Sequence, residues 1–304
     1  EHTFFERKNY FYPDLPKGYQ ISQYQSPLCE NGYLEIGGNK IRIRRIHIEE
    51  DTGRLLHDSE GKYSLVDFNR AGIPLLELVT EPDLKSGEEV RHFGEELQLI
   101  LRYLGISDAD MQKGQMRVEV NISVRKTNGK ERMANSGKEL GAKVELKNIN
   151  SFKFAGQAVN YEIKRQSELL KEGGKVIQET RGWDETKQKT FSQRTKEDAH
   201  DYRYFPEPDL PLINKKELGL DEIKVMLVEL PSQRRERFKK LYGLPEHDIE
   251  VLTVNRQLGD YFEKVVSELK EWDKLSHLNK PPKEHEERLV KLAANYLITE
   301  LAKL

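Results

Sequence analysis

Residues 40–51 read Lys-Ile-Arg-Ile-Arg-Arg-Ile-His-Ile-Glu-Glu-Asp, and this stretch decides the class of fold. Isoleucines alternate with charged side chains at positions 41 and 43 and again at positions 46 and 48. An alternation of period two is typical of a β-strand with one apolar face and one polar face. Because the alternation changes phase at Arg44-Arg45, we expect a β-bulge there. The strand ends in a dense acidic tip, Glu49-Glu50-Asp51.

Two further stretches, residues 116–125 and 142–148, alternate in the same way. Their polar positions carry acidic and basic residues together, namely Arg117, Glu119, Lys143, Glu145 and Lys147. This face has two interpretations. Charges of both signs on neighbouring antiparallel strands form cross-strand pairs in water. The same mixture suits a site for Mg²⁺ and phosphate, since Mg²⁺ prefers carboxylates and phosphate prefers Arg or Lys.

Helical signals flank and follow these strands. A capping box at residues 86–89 opens a helix that ends at Gly105, and a second helix is predicted from about residue 154 to about residue 171. From about residue 230 onward, charged helical stretches replace the alternation. We therefore predict an α+β fold, with a largely antiparallel sheet and flanking helices over residues 1–228. A small all-α domain is predicted over residues 229–304.

The composition limits the function. The chain has 304 residues and a net charge of −2, from 50 Lys+Arg and 52 Asp+Glu. This excludes a globally basic nucleic-acid binder, while a local basic face stays open. No apolar run approaches the roughly 18 residues of a membrane span. The single cysteine, Cys29, cannot form an intrachain disulfide, which fits a reducing compartment.

Glu77 lies in the apolar stretch Ile-Pro-Leu-Leu-Glu-Leu-Val at residues 73–79. A carboxylate buried among such neighbours has to be paired or bind a metal, because an isolated buried charge is too unfavourable. The other interpretation is a glutamate on the water-facing side of an edge strand. The residues alone leave both interpretations open.

Four segments carry long motifs: KNYFYPDLPKGYQISQ at residues 8–23, HIEED at 47–51, DFNRAGIPLLE at 67–77 and DYRYFPEPD at 201–209. In this order they resemble the B-subunit family of aspartyl/glutamyl-tRNA amidotransferases. The resemblance runs from about residue 5 into the helical region and weakens after about residue 255. It implies that the first domain is similar to the catalytic domain of glutamine synthetase.

The resemblance implies a ligase that acts within a heterotrimer. In this family one partner is a glutaminase (amidase) that frees ammonia from glutamine, and another is a small third protein, the C subunit. The B subunit uses Mg²⁺ and ATP to phosphorylate the side-chain carboxylate of mischarged Glu-tRNA(Gln) or Asp-tRNA(Asn), and ammonia then displaces the phosphate. The implied partners are these two proteins and tRNA, with no membrane and no DNA. The implied location is the bacterial cytoplasm rather than an organelle matrix.

The resemblance also implies roles for individual residues. By position, Glu50 and Glu77 match Mg²⁺ ligands, with Glu49 as a nearby carboxylate of the same metal site. Four residues match positions along the ammonia route and at the active centre: Lys8, Tyr10, Glu119 and Glu145. Aspartate is common in the family at the position of Glu119, so this chain has one extra methylene there.

Basic residues supply the candidates for anionic ligands. Those proposed for the ATP phosphates are Arg117, Lys147, Arg181 and Arg203, although each could instead form a structural ion pair. A second group lies in the helical part: Arg234, Arg235, Arg237, Lys239 and Lys240. This group predicts either contact with the tRNA backbone or a solvated helix face.

Two departures from the family concern the ends of the chain. Relatives begin with a strand that carries a Glu and a His for the metal site, often beside a zinc-binding cysteine cluster. They end in a small tail domain that grips tRNA. This sequence starts at Glu1 without a signal-peptide pattern and contains neither part. We therefore expect an incomplete metal site, and zinc only in a segment before Glu1.

Two other functions stay open at this point. One is a non-catalytic tRNA-binding scaffold, and the acidic tip argues against it because carboxylates repel phosphate. The other is a free-standing amide ligase that acts on a small acid. Binding of ATP·Mg²⁺ distinguishes an enzyme from a scaffold, and dependence of the activity on tRNA distinguishes the two enzymes.

Overall fold

A computed structural model of the chain describes residues 2–58, 60–124, 140–195, 201–276 and 283–301. The chain divides into two compact units. The sheet unit comprises residues 1–95 and 111–225, and the helical unit comprises residues 96–110 and 226–304. The predicted boundary at residues 228/229, between a catalytic and a helical domain, stays a prediction. Within the described ranges, no helix is both long enough and apolar enough to cross a membrane.

Strands dominate the sheet unit and helices the helical unit. The strands are, in chain order, β1 His2–Thr3, β2 Glu6–Asn9, β3 Tyr19–Ser22, β4 Cys29–Ile36, β5 Asn39–Glu50, β6 Arg54–His57, β7 Ser64–Asp67, β8 Pro74–Thr80, β9 Val118–Ile122, β10 Val144–Ile149, β11 Glu179–Asp184, β12 Lys189–Thr195, β13 Phe205–Pro206 and β14 Ile213–Asn214. The helices are α1 Gly87–Tyr103, α2 Phe152–Lys171, α3 Leu220–Met226, α4 Pro231–Tyr242, α5 Glu246–Val254, α6 Arg256–Ser276 and α7 Lys283–Thr299, with a 3₁₀ helix at Lys215–Leu218.

The predicted mixture of helices and mainly antiparallel strands is confirmed. The described strands form several small sheets. Their pairing is antiparallel except between β10 and β11. Register shifts interrupt the β5–β8, β9–β10 and β11–β12 pairings.

The core of the sheet unit lies between α2 and the four-stranded sheet β12-β11-β10-β9. Alternation along β10 turns Val144 and Leu146 towards this core, where they meet Ala155, Ala158 and Trp183. Helix α2 begins where the Ser151 hydroxyl accepts a hydrogen bond from the amide of residue 154. The opposite face of the sheet is therefore free to carry polar side chains.

Strand β5, which contains residues 40–50 of the alternating stretch, is the central strand of the sheet β4-β5-β8. The predicted β-bulge is confirmed, because the pairing with β8 shifts register between Ile43 and Arg45. Beyond the bulge, His47 lies opposite Glu77. Strand β3 continues into Gln23, whose side-chain oxygen accepts a hydrogen bond of 3.0 Å from the backbone N–H of Ile48. The acidic end of β5 is thus held from two sides.

A buried ionic network joins α2 to the sheet. Glu162 on α2 is fully buried and accepts hydrogen bonds from Arg165 and Thr190. Arg181 on β11 lies 3.1 Å from the Glu162 carboxylate and 2.7 Å from that of Glu179. Burial acts to raise the pKa of Glu162, but the hydrogen bonds from Arg165 and Thr190 outweigh it, so the pKa is lowered.

The helical unit has its own core of apolar side chains. Phe238 of α4, Leu252 of α5, Phe262 of α6 and Ala294 of α7 are fully buried in it. Helix α4 starts with a proline in its first turn and ends at Gly243, whose φ of 58° is in the left-handed region that glycine tolerates. These two signals explain why the helix has sharp ends.

We expect Glu162→Leu to destabilise the sheet unit by about 3 kcal/mol or more, because it deprives the buried Arg181 charge of one of its two carboxylate partners. The control is Glu168→Leu, an exposed position on the same helix, which should change stability by less than about 0.5 kcal/mol. Urea unfolding followed by Trp183 fluorescence in a Trp272→Phe background measures both. Equal effects of the two substitutions would contradict the proposed contribution of the network.

The same carboxylate should make stability depend on pH. Because the folded-state pKa of Glu162 lies below its ordinary value of 4.5, the stabilisation is complete above that value and is lost as pH falls through the folded pKa. The stability difference between wild type and Glu162→Leu should therefore shrink between about pH 7 and about pH 3. Urea midpoints across this range measure it, and a difference that stayed constant would refute the linkage.

Candidate active site

Three potential metal ligands converge at the end of β5. His47, Glu49 and Glu77 each offer one ligand atom, and these atoms all lie within 4.8 Å of one another. The Nε2 atom of His47 is 3.4 Å from the Glu49 carboxylate and 3.5 Å from that of Glu77. We call these three residues the metal cluster.

The strand geometry explains this convergence. His47 and Glu49 are two residues apart on β5, so both side chains leave the same face of the strand. Glu77 is directly opposite His47 on β8, and cross-strand partners share a face. His47 and Glu49 are buried, whereas the Glu77 side chain is 45% exposed on an edge strand. The metal cluster thus opens to solvent on the side of Glu77.

Electrostatics within the metal cluster sets its two carboxylates apart. Burial acts to raise the pKa of Glu49, but the hydrogen bond with His47 and the charge of Lys8 outweigh it, so this pKa is lowered. Ser22 also donates a hydrogen bond of 3.2 Å to Glu49. The pKa of Glu77 is raised, first by partial burial and then by the negative charge of Glu49. A bound cation would relieve this repulsion.

The donor set fits a divalent cation. Two carboxylates and one imidazole nitrogen can bind Mg²⁺ or Mn²⁺, with open positions left for water or phosphate oxygens. Metal-binding histidines usually donate the second ring N–H to a partner. Here Nδ1 of His47 is buried without a hydrogen-bond partner among the described residues.

Glu50, predicted as a metal ligand, lies apart from the metal cluster. Alternation along β5 turns its side chain to the face opposite Glu49. There Lys17 approaches both carboxylate oxygens, at 2.5 and 2.7 Å, and the backbone N–H of Ile21 donates a hydrogen bond of 3.0 Å. The structure therefore groups Glu49 and Glu77 with His47 and separates them from Glu50.

Asp51 forms the second feature of the site. Its buried carboxylate binds Arg117 through one oxygen and Arg70 through the other, the latter at 2.8 Å. Arg117 directly precedes β9, whereas Asp51 directly follows β5. This contact connects the acidic end of β5 with the polar face of the four-stranded sheet.

A third group lies on that polar face. Lys147 is 3.3 Å from the carboxylate of Glu119 and 3.6 Å from that of Glu145. Thr180 donates a hydrogen bond of 3.1 Å to Glu145. Burial acts to lower the pKa of Lys147, but the charges of Glu119 and Glu145 outweigh it and raise the pKa. The predicted cross-strand pairing is therefore present, and Lys147 stays positively charged.

Lys8 and Tyr10 lie beside an aromatic group. The Lys8 ammonium is 5.0 Å from the ring centre of Tyr202, and Tyr10 makes an edge-to-face contact with Tyr202 at 5.7 Å. Burial raises the pKa of Tyr10, and it raises the pKa of Tyr204 to about 12. Both hydroxyls are therefore protonated at neutral pH. Lys8 also acts electrostatically on Glu49.

Two predicted phosphate ligands have other surroundings. Arg181 pairs across the strands with Leu146, which faces α2, so its guanidinium belongs to the buried network with Glu162. This placement favours the structural ion pair. Arg203 is exposed, and its backbone N–H donates to Asp201 at 3.1 Å.

The basic group of α4 does not form one exposed face. Its three arginines pair with carboxylates of the helical unit: Arg234 with Asp260 and Glu263, Arg235 with Glu96 and Glu250, and Arg237 with Glu229 and Glu263. Lys239 and Lys240 are exposed, with Lys239 3.5 Å from Glu246. Of the five basic residues predicted to contact tRNA, Lys239 and Lys240 are the two whose side chains are exposed.

The sequence did not predict a role in the site for His47, Asp51 and Arg70. The signal for His47 was its two-residue spacing from Glu49, which puts both side chains on one face. The same spacing links Glu49 to Asp51. Nothing local indicates that Arg70 pairs with Asp51, because the contact depends on the path of the chain between β7 and β8.

Comparisons with known proteins show which family the chain belongs to. Residues 1–219 match the family model described as the GatB/GatE catalytic domain. The chain is 56% identical over 265 residues to the B subunit of the aspartyl/glutamyl-tRNA(Asn/Gln) amidotransferase of Caldicellulosiruptor saccharolyticus, covering 86% of this chain and 54% of the relative. It is 50% identical over 304 residues to the protein of the same name from Thermodesulfovibrio yellowstonii, covering 99% and 58%.

A third relative of that name, from Persephonella marina, is 52% identical over 271 residues, covering 88% of this chain and 55% of the relative. The chain thus spans slightly more than half the length of the curated relatives it matches. Since the family model covers well over half of the chain, we conclude that the chain belongs to the GatB/GatE catalytic domain family.

Proposed function

We propose that this chain carries the carboxylate-activating site of a tRNA-dependent amidotransferase, as its B subunit. The reaction is the ATP- and Mg²⁺-dependent phosphorylation of the side-chain carboxylate of Glu-tRNA(Gln) or Asp-tRNA(Asn), followed by amidation with ammonia. The observation that carries the proposal is the convergence of His47, Glu49 and Glu77 on one point at the end of β5. The names of the relatives support the choice of substrate.

The proposed chemistry has two steps. In the first, a carboxylate oxygen of the tRNA-linked side chain attacks the γ-phosphorus of ATP, and ADP leaves. In the second, the nitrogen of ammonia attacks the activated carbonyl carbon and loses one proton to a nearby carboxylate, so that an amide forms and inorganic phosphate leaves with the electron pair of the broken C–O bond. The first step brings a carboxylate and a polyphosphate together, and the second step releases an anionic phosphate, so the site has to supply positive charge.

The residues of the metal cluster would hold Mg²⁺. When bound, the ion neutralises negative charge on the phosphoryl oxygens. Glu49 is suited to this role because its lowered pKa keeps it ionised, and its hydrogen bond from Ser22 keeps it oriented. Glu77, at the exposed side, faces the direction from which a nucleotide can enter.

Other residues would act on ammonia and on the activated carbonyl. Lys8 contributes positive charge near Glu49, and the Tyr10 hydroxyl stays protonated and can donate a hydrogen bond. Glu119 and Glu145, which flank Lys147, can accept a proton from incoming ammonium.

The proposed partners are a glutaminase (amidase) that supplies ammonia, a small C subunit, and mischarged tRNA. Lys239 and Lys240 are the candidates for tRNA backbone contact in the helical unit. We also propose that the sheet unit shares the architecture of glutamine synthetase catalytic domains, and that the protein acts in the bacterial cytoplasm. The proposed reaction supports the shared architecture, since glutamine synthetase also activates a carboxylate with ATP.

A metal-binding measurement tests the cluster. In the full chain with its partner proteins, His47→Gln, Glu49→Gln and Glu77→Gln should each weaken Mn²⁺ binding at least about tenfold, since each removes a ligand. The matched control is Glu50→Gln, which should leave the affinity within about twofold because Glu50 is on the other face. Mn²⁺ titration followed by electron paramagnetic resonance gives the affinities. Loss of binding in Glu50→Gln alone would overturn the assignment.

An activity measurement tests the reaction. With the full complex, ammonium chloride, ATP and Glu-tRNA(Gln) or Asp-tRNA(Asn), Glu77→Gln should lower kcat for amidated tRNA by about 100-fold. Unchanged amidation in this variant would favour a non-catalytic scaffold. Amidation of free glutamate or aspartate without tRNA would instead indicate a free-standing amide ligase.

A further inference from the structure

The buried carboxylate of Asp51 brings two guanidinium groups together. Each of its oxygens contacts one arginine, Arg117 or Arg70. Arg70 also donates a hydrogen bond of 2.6 Å from Nη1 to the carbonyl oxygen of Gly114. Asp51 is itself fixed by its backbone, since its N–H donates to the carbonyl of Ile73 at 2.8 Å. The two arginines are therefore oriented by a rigid centre.

Arg70 and Arg117 lie beside the metal cluster. His47, Glu49 and Asp51 are all buried and alternate with the less buried residues between them, so they share one face of the same extended stretch. Successive positions on one face of a strand are about 7 Å apart. Asp51 is therefore about one such step beyond Glu49, which places the arginine pair within reach of a phosphate chain whose other end meets the metal cluster.

Both arginines keep unused binding capacity. Their side chains are 45% and 56% exposed, for Arg70 and Arg117 respectively. A guanidinium has five N–H donors, and the contacts to Asp51 and Gly114 use only some of them. Two guanidinium charges against one carboxylate leave a net charge of +1, in a geometry that suits bidentate binding of phosphate oxygens.

We propose that Arg70 and Arg117 bind the phosphate chain of ATP and that Asp51 is the positioning residue that orients them. This inference rests on the proposed function, because it assigns the polyphosphate of the nucleotide to one end of the same site. It adds Arg70 and Asp51 to the residues involved, and it distinguishes Arg117 from Arg181, which belongs to the buried network.

The alternative is a purely structural contact that ties β5 to β9. The two roles predict different changes in anion affinity for one substitution, Asp51→Asn. Asp51→Asn removes a negative charge, so a structural role predicts unchanged or tighter binding of an anion. A positioning role predicts weaker binding, because the arginines lose the carboxylate that holds them in place.

The experiment uses the full chain with its partner proteins and two probes, Mg²⁺·ATP and inorganic tripolyphosphate, in calorimetric titrations. Arg70→Gln and Arg117→Gln should each weaken both probes by about 10-fold to 100-fold. Asp51→Asn should weaken both by about tenfold. Arg70→Lys should recover part of the affinity, since it restores the charge but not the planar fork.

An ion pair between Arg42 of β5 and Asp83, which follows β8, serves as the control. Arg42 contacts Asp83 through two nitrogens, at 2.6 and 2.8 Å, and its side chain is 61% exposed. Arg42→Gln and Asp83→Asn should leave the affinity for both probes unchanged. They remove a similar exposed ion pair from the same strand, at the end far from the metal cluster.

The outcomes separate this inference from the proposed function. Wild-type affinity for both probes in Arg70→Gln and Arg117→Gln overturns the phosphate site, and unchanged or tighter binding in Asp51→Asn overturns the positioning role. Mn²⁺ titration of the same variants should give wild-type affinity. If wild type fails to bind Mn²⁺, the metal cluster is wrong, while tripolyphosphate affinity still decides the role of the arginines.

Discussion

Burial of carboxylates along one face of β5 is the constraint on which the site depends. An ionised carboxylate removed from water has to meet opposite charge or strong donors. Glu49 meets His47, Lys8 and Ser22, and Asp51 meets two arginines. Apart from His47 on β5 itself, these partners come from β2, β3, the turn before β8 and the residue before β9, so satisfying the carboxylates draws several short elements together.

The same constraint gives the two ends of the site opposite charge. Glu49 and Glu77 are two carboxylates close enough together for the charge of Glu49 to raise the pKa of Glu77, which favours a metal ion. At Asp51 the arginines outnumber the carboxylate, which favours an anion. An acidic centre beside a basic one, about 7 Å further along the same strand face, matches the charge pattern of a metal-bound polyphosphate. On the other face of β5, Glu50 and Lys17 neutralise each other.

The alternation of residues 40–51 was sufficient to predict the strand and its bulge, but it misled about the faces. The isoleucines at 46 and 48 indicated the buried side, whereas the structure buries His47 and Glu49 more deeply. The reason is that β2 and β3 bring charged and hydrogen-bonding groups over the polar face. Glu49 and Glu77, two of the three residues of the metal cluster, were predictable as site candidates from their motifs. The ion pairs of Arg181 with Glu162 and of Arg235 with Glu96 were not predictable, because these partners are distant in sequence.

The most direct test of the central claim is anomalous X-ray diffraction from crystals of the full chain grown with MnCl₂. The account predicts one strong manganese peak within coordination distance of His47 Nε2 and of a carboxylate oxygen from each of Glu49 and Glu77. A peak beside Glu50 and Lys17 would contradict it. So would a map in which those three side chains are ordered and no manganese lies between them.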